Sequence, residues 1–264
     1  MRLLISTAAT LLGTVLSAVL SVGPAAAATD VAAVLKPSQD RVETADFRVS
    51  GHLVGVDAGG KRTSDGISIK AHWFPGVLRV FVEVTPSPST KPDGRIHVLL
   101  EMRPNGQDVI KIAHPGDKTP TTLPFDKWGD GPLGPGFSFE DFLEMQYFWP
   151  GQVLEPETTF GARQCDVVKS TPGAGDKTHY AGVKTWLDHS IGFPVYVEKT
   201  LKGTGTVKQF TYFGLRHDGG VWSASQVESK THGQGGSTLL IIDRGSAKAN
   251  LGLGDFSPEL LTRF

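Results

Sequence analysis

From Phe47 the chain alternates apolar and polar residues, Phe47-Arg48-Val49-Ser50-Gly51-His52-Leu53-Val54. After Asp57-Ala58-Gly59-Gly60 the alternation resumes at Ile67-Ser68-Ile69-Lys70-Ala71-His72-Trp73. A period of two puts each kind of residue on its own face of a strand, so the pair reads as an antiparallel hairpin. Leu78 to Val84 predicts a further strand closed by Pro86 and Pro88, and Arg95 to Met102 and Gln107 to Ala113 predict two more around Asn105-Gly106. Ahead of them, Asp30 to about Glu43 predicts a short helix with Val31, Val34 and Leu35 on one side and Pro37 limiting its run.

The middle changes character. Residues 114 to 136 are rich in Pro, Gly, Thr and Asp and read as a long loop, and Phe137 to Trp149 then runs up to Pro150. Ser138 followed by Asp141 is a capping-box-like start, and Phe139, Phe142, Leu143 and Tyr147 share one helical face, which predicts an amphipathic helix over Ser138 to Trp149. Glu140, Asp141 and Glu144 fall on its other side, although Met145, Phe148 and Trp149 widen the apolar surface. After Pro156 the strand pattern returns at Arg163 to Lys169, Tyr180 to Asp188, Val195 to Leu201, Val207 to Phe213, Val221 to Lys230 and Ser237 to Asp243. Glycine-rich turns separate these runs, and ten or eleven antiparallel strands result, in one domain over 29–264.

Composition narrows the class. The 32 Gly and 17 Pro exceed what long helices tolerate, and a formal net charge of -1 carries no electrostatic surplus for nucleic acid or an anionic membrane. The single cysteine, Cys165, excludes an intrachain disulfide and a cysteine zinc cage, and reads as a small buried hydrophobe. Met1-Arg2, an uncharged stretch to Val22, Gly23-Pro24 and the alanines at 25–28 predict a secretory signal peptide over 1–28, with a transmembrane anchor as the alternative. No cysteine near that boundary offers a lipid-attachment site, so a soluble exported chain is expected.

No catalytic constellation emerges. G-x-S-x-G is absent, the eight histidines show no H-x-x-x-H or H-E-x-x-H spacing, and Gly203-Thr204-Gly205 lies between strands where no helix can complete a phosphate cradle. His52, His72 and His97 sit on strands that could converge, but lone strand histidines are more often packed or solvated. No metal and no cofactor are expected, and no enzymatic activity. What stands out is an excess of aromatic residues. Phe139, Phe142, Leu143, Tyr147 and Trp149 on the predicted helix, with Trp73, Phe81, Trp186, Phe210, Tyr212 and Trp222 on strands, are the candidates for a cavity and its lid. They either fill the interior or line a hollow that an acyl chain can occupy.

The stretch from Tyr180 through Trp186-Leu187-Asp188, Pro194-Val195, Glu198-Lys199, Lys208, Gly219-Gly220-Val221-Trp222, Thr238-Leu239-Leu240-Ile241, Asn250, Asp255-Phe256-Ser257-Pro258 and Leu261 resembles the bacterial outer-membrane lipoprotein-sorting protein family, which shares the LolA/LolB-like carrier fold. Phe137 to Phe142 is similar to that family's short aromatic-acidic segment entering the lid region, while Ala224 departs from it where many relatives place a proline. The resemblance implies a mainly β fold, an unclosed antiparallel barrel of about eleven strands with a helical lid, and an apolar interior that takes lipid acyl chains in the periplasm. The expected protein is a monomeric periplasmic carrier of lipid or lipoprotein acyl chains, with a membrane-protein donor or acceptor. The alternative is an extracytoplasmic sensor or interaction module on the same fold.

Overall fold

The computed structural model describes residues 30–87, 94–104, 106–131, 133–134 and 136–264. The predicted signal peptide, Pro88 and Asn105 lie outside the described residues. Helix α1 (Val31–Glu43) begins where the Asp30 side chain accepts the Ala32 N–H. Pro37 does not limit it: the helix continues to Glu43, with Leu35, Ser38 and Val42 buried and Gly192 close enough that a Cβ there would lie 2.6 Å from the Pro37 Cβ. Packing of one face thus carries the helix past a residue that lacks the N–H for its bond.

Thirteen strands follow: β1 (Asp46–Val56), β2 (Arg62–Phe74), β3 (Val77–Thr85), β4 (Ile96–Met102), β5 (Val109–Ala113), β6 (Thr121–Thr122), β7 (Gly151–Phe160), β8 (Arg163–Thr171), β9 (Tyr180–Asp188), β10 (Pro194–Leu201), β11 (Val207–Asp218), β12 (Val221–Thr231) and β13 (Ser237–Ser246). β6 and β7 are additions to the pattern read from sequence. β7 is largely exposed and carries Pro156 at a register shift between Glu155 and Thr158. Only an outer strand tolerates a proline there, which is why no alternation marks it.

All thirteen strands form one antiparallel sheet in the order β6-β5-β4-β3-β2-β1-β13-β12-β11-β10-β9-β8-β7. It consists of two meanders whose first and last strands, β1 and β13, pair. The seam has a bulge between Ser50 and Gly51, where a Cβ on Gly51 would lie 1.8 Å from the Ile241 carbonyl oxygen. Glycine is required at that approach. β6 and β7 do not pair, so the sheet stays open, and the chain between them runs from one free edge to the other across the inner face.

That crossing loop holds the main departure from the sequence reading. Instead of one amphipathic helix, Ser138 to Trp149 makes two short 3-10 turns, Phe139–Phe142 and Met145–Tyr147, separated by Leu143 in an extended conformation. Glu140 and Asp141 do not face solvent. Both are buried and hold the loop to the sheet: Glu140 accepts from Thr178 and His179, and Asp141 from Tyr180, Lys199 and Lys208. Two neighbouring acids anchored in different places, Glu140 to the turn before β9 and Asp141 to β9, β10 and β11, leave the backbone no freedom to wind as a regular helix. The inner core joins strands of both meanders to Trp128, Phe137, Phe139, Leu143, Tyr147 and Trp149 of the loop. A smaller core on the outer face packs Phe81 and Leu99 under Leu251, Phe256 and Leu261, the last from the short helix α2 (Pro258–Leu261).

Candidate functional site

Between the inner face of the sheet and the crossing loop lies a cavity of about 320 Å³, at the lower end of the range for small-molecule sites. Its walls are predominantly apolar. β1 to β3 contribute Phe47, Val49, Ile69, Ala71, Leu78 and Val80. The opposite wall is Phe210 and Tyr212 from β11, Val227 from β12, and Leu240 and Ile242 from β13, while Phe137 and Phe142 of the loop and Val42 of α1 form the cover.

The cavity opens through a split in the sheet. β12 pairs with β13 only over Gln226–Ser229 against Thr238–Ile241, although β11 and β12 stay paired out to Asp218 and Val221. Ile242 to Ser246 instead continue along β1, past the bulge that bends this seam. Val221 to Ala224 and Gly245 to Ala247 therefore flank the mouth. Arg216 reaches across it to donate to the Ile242 carbonyl at 3.3 Å.

The closed end is charged. Lys199 on β10 and Lys208 on β11 face each other and converge on Asp141, whose side chain is fully withdrawn from solvent. Burial by itself raises the Asp141 carboxyl, but the fields of Lys199 and Lys208, with hydrogen bonds from Lys208 and Tyr180, outweigh it and hold the group well below the usual carboxylate range. Lys208 also donates to Ser138 Oγ at 3.0 Å and to the Tyr180 hydroxyl at 3.2 Å. On the cover, Arg41 of α1 pairs with Glu144 at 2.9 Å. Burial alone lowers the Arg41 guanidinium; Glu144 reverses that and keeps it charged.

The candidate residues divide by strand face. Phe142, Phe210 and Tyr212 line the cavity. Trp222 lies at its rim, with its ring 5.0 Å from that of His217, opposite which it sits on the hairpin, so the indole lies on the other face from Phe210 and Tyr212. Phe139, Leu143, Tyr147 and Trp149 are core residues of the loop, and Trp73 stacks on Phe148 at 6.4 Å without lining the cavity. Phe81 and Trp186 point to the outer face: Phe81 lies under the carboxy-terminal segment, and Trp186 sits 4.9 Å from Tyr196, which stacks on Phe160.

The polar end, Asp141 with Lys199 and Lys208, was not among the candidates. Its one legible trace was two lysines at inward positions of strands, since Lys199 and Lys208 share faces with Val197 and Phe210. The three strand histidines do not converge: His52 pairs with Asp243, His72 with Asp46, and His97 bonds the Leu261 carbonyl. Elsewhere, Glu157, Asp166 and His189 bring ligand atoms within 4.8 Å of one another, fewer donors than a closed structural zinc site uses. Cys165 is fully buried.

An open antiparallel sheet curved around an apolar cavity, with a crossing loop as cover, defines the LolA-like class of fold. A proposed outer membrane lipoprotein-sorting protein domain from Vibrio parahaemolyticus shares it with a TM-score of 0.76 at 17% identity, covering 89% of this chain and 100% of that one. A DUF1329 family protein from Desulfovibrio piger gives 0.73 at 17%, and a LolA superfamily protein from Nitrosomonas europaea 0.65 at 14%, each covering 89% of this chain and 100% of the other. No curated protein matches the sequence. A family model described only as "uncharacterized protein" matches residues 123–263, more than half of the chain, and the chain belongs to that family. Among the described residues no helix is long and apolar enough to cross a membrane.

Proposed function

We propose that this protein is an exported, non-catalytic carrier that holds the acyl chains of a lipid or lipidated protein in the cavity and shuttles them through the periplasm. The observation that carries the reading is the apolar hollow of about 320 Å³ that persists although the loop beside it is dense with aromatic side chains. Each methylene buried there contributes about 0.8 kcal/mol, so a chain of roughly 14 carbons is held by burial without any covalent step. The leader over 1–28 supplies export, and the Vibrio parahaemolyticus fold relative, itself proposed to sort lipoproteins, supports the direction. The test is native mass spectrometry of the chain purified from the periplasmic fraction, with displacement of a fluorescent acyl probe. Co-purifying lipid and displacement are the expected results; neither lipid nor displacement removes the proposal.

The split between β12 and β13 favours a second reading, an interaction module for a membrane-protein partner. Its two diverging strands expose backbone donors and acceptors that an extended peptide can pair with. A photoreactive side chain at Ser223 that crosslinks to one membrane protein in cells, in a chain that carries no lipid, would favour it over the carrier.

A further inference from the structure

At the closed end of the cavity two ammonium groups share one carboxylate. Lys208 spends all three of its N–H donors, on Ser138 Oγ, Asp141 and the Tyr180 hydroxyl. Lys199 spends one, on Asp141 Oδ1 at 3.2 Å, and among the described residues it has no other hydrogen-bond partner. Its side chain is only 5% exposed, yet it lines the cavity. None of the other nearby carboxylates bonds it: Glu140 is turned to Thr178 and His179, Glu144 is paired with Arg41, and Asp108 and Asp176, which line a second small pocket with Lys199, accept from the Arg103 and Gly173 backbone N–H groups. The Lys199 ammonium also lies 4.8 Å from the Phe210 ring centre and 5.2 Å from that of Tyr180, contacts that support a cation but supply no hydrogen-bond acceptor.

A desolvated ammonium with two unspent donors on an apolar wall is costly to keep unless something brings an acceptor to it. The three groups together carry one positive charge in excess, which matches a monoanion. Phe210 stands beside Lys199, and the inner positions of β11 run from there past Tyr212 to Arg216 and Asp218 at the mouth. The eight steps along the strand from Phe210 to Asp218 span about 26 Å at about 3.3 Å each, a track long enough for an extended acyl tail.

Resting on the reading of the cavity as an acyl site, we propose that Lys199 anchors the carboxylate of a single-chain anionic amphiphile, a long-chain fatty acid, which enters head first and lies with its tail along β11 toward the split. This differs from holding a lipoprotein's acyl groups, whose head is fixed to a polypeptide and whose tails would have to enter first and end against a charged group.

The experiment compares hexadecanoate with hexadecanol, which has the same tail and no charge, by displacement of a fluorescent acyl probe from the delipidated protein, for wild type, Lys199→Met and Lys199→Arg. A charge-assisted hydrogen bond at a dry site predicts that wild type binds hexadecanoate roughly tenfold or more tighter than hexadecanol. Lys199→Met should close that gap by weakening hexadecanoate far more than hexadecanol, and Lys199→Arg should retain most of it. Equal affinity of wild type for acid and alcohol overturns the inference and leaves the acyl cavity standing, as does a preference that survives in a folded Lys199→Met. Should Lys199→Met not fold, the wild-type ratio alone decides. Binding of neither amphiphile overturns the acyl reading itself, and this inference with it.

Discussion

Asp141 and Lys208 form an ion pair across 67 positions of sequence, both side chains withdrawn from solvent, and so fasten the crossing loop to the inner face of β11. With Lys199 on the same carboxylate, this pair decides where the loop sits over the cavity. Replacing Asp141 by Asn leaves two buried ammonium groups without their counter-charge, a change that costs about 3–5 kcal/mol. Chemical denaturation at neutral pH should show that loss.

The same carboxylate sets an acid limit. An aspartate in an unfolded chain titrates near pH ~3.9, and the folded Asp141 lies well below that because the two lysines outweigh the opposing effect of burial. Its stabilisation is therefore complete above about pH 4 and is lost progressively as pH falls from there toward the folded value. Stability followed from pH 5 to pH 2 should drop in wild type and drop less steeply in Asp141→Asn.

Asp108 behaves in the opposite sense. Burial raises its carboxyl to about 6, opposed by the Arg103 backbone N–H and reinforced by nearby Asp176. Because the folded protein holds this proton more tightly than the unfolded chain, stability falls as pH rises between about 4 and about 6, and the cost persists above that range. Asp108→Asn keeps an oxygen to accept the Arg103 N–H at 2.7 Å. It should be more stable than wild type by about 2 kcal/mol at pH 8 and lose that advantage near pH 4 in paired thermal melts.

Filling the cavity should separate binding from folding. Val227 is half-buried and faces the hollow between Tyr212 and Leu240. A Phe there adds volume where space exists, so stability should change by less than the roughly 1–3 kcal/mol typical of overpacking. Excluding about two methylenes of a bound chain removes about 1.6 kcal/mol, or roughly tenfold in affinity. Unchanged acyl binding in a folded Val227→Phe would place the ligand elsewhere.

The outer aromatic residues provide the converse. Phe81 is buried under the carboxy-terminal segment and Trp186 packs with Tyr196. Phe81→Ala should cost about 3–5 kcal/mol in stability and, like Trp186→Ala, leave the dissociation constant for an acyl probe unaltered at temperatures where the protein is folded.

Eleven strands, their order within each meander and the turns between them follow from local patterns: a period of two in apolar residues and glycine where the chain must reverse. The aromatic excess of the central segment is equally local, and it correctly marks that segment as interior. Alternation tells two faces apart but does not name the inner one. Phe210 alternates with Gln209 and Thr211, whereas Phe81 lies between Val80 and Val82 in one row with Arg79 and Glu83, and the two phenylalanines end on opposite sides of the sheet.

Long-range pairing was decided only in three dimensions. The β1–β13 seam, the proline-bearing edge strand β7 and the split at the mouth depend on strands far apart in the chain or on what they fail to meet. The greatest change fell on Ser138 to Trp149, where helical spacing was overridden because Asp141 found two lysines on β10 and β11, and Glu140 a histidine and a threonine in the turn just before β9. Periodicity records the burial of apolar groups averaged along a segment. A buried charge instead answers to the few opposite charges that the folded chain brings within reach, and in this protein those partners decide both the shape of the loop and the character of the cavity it covers.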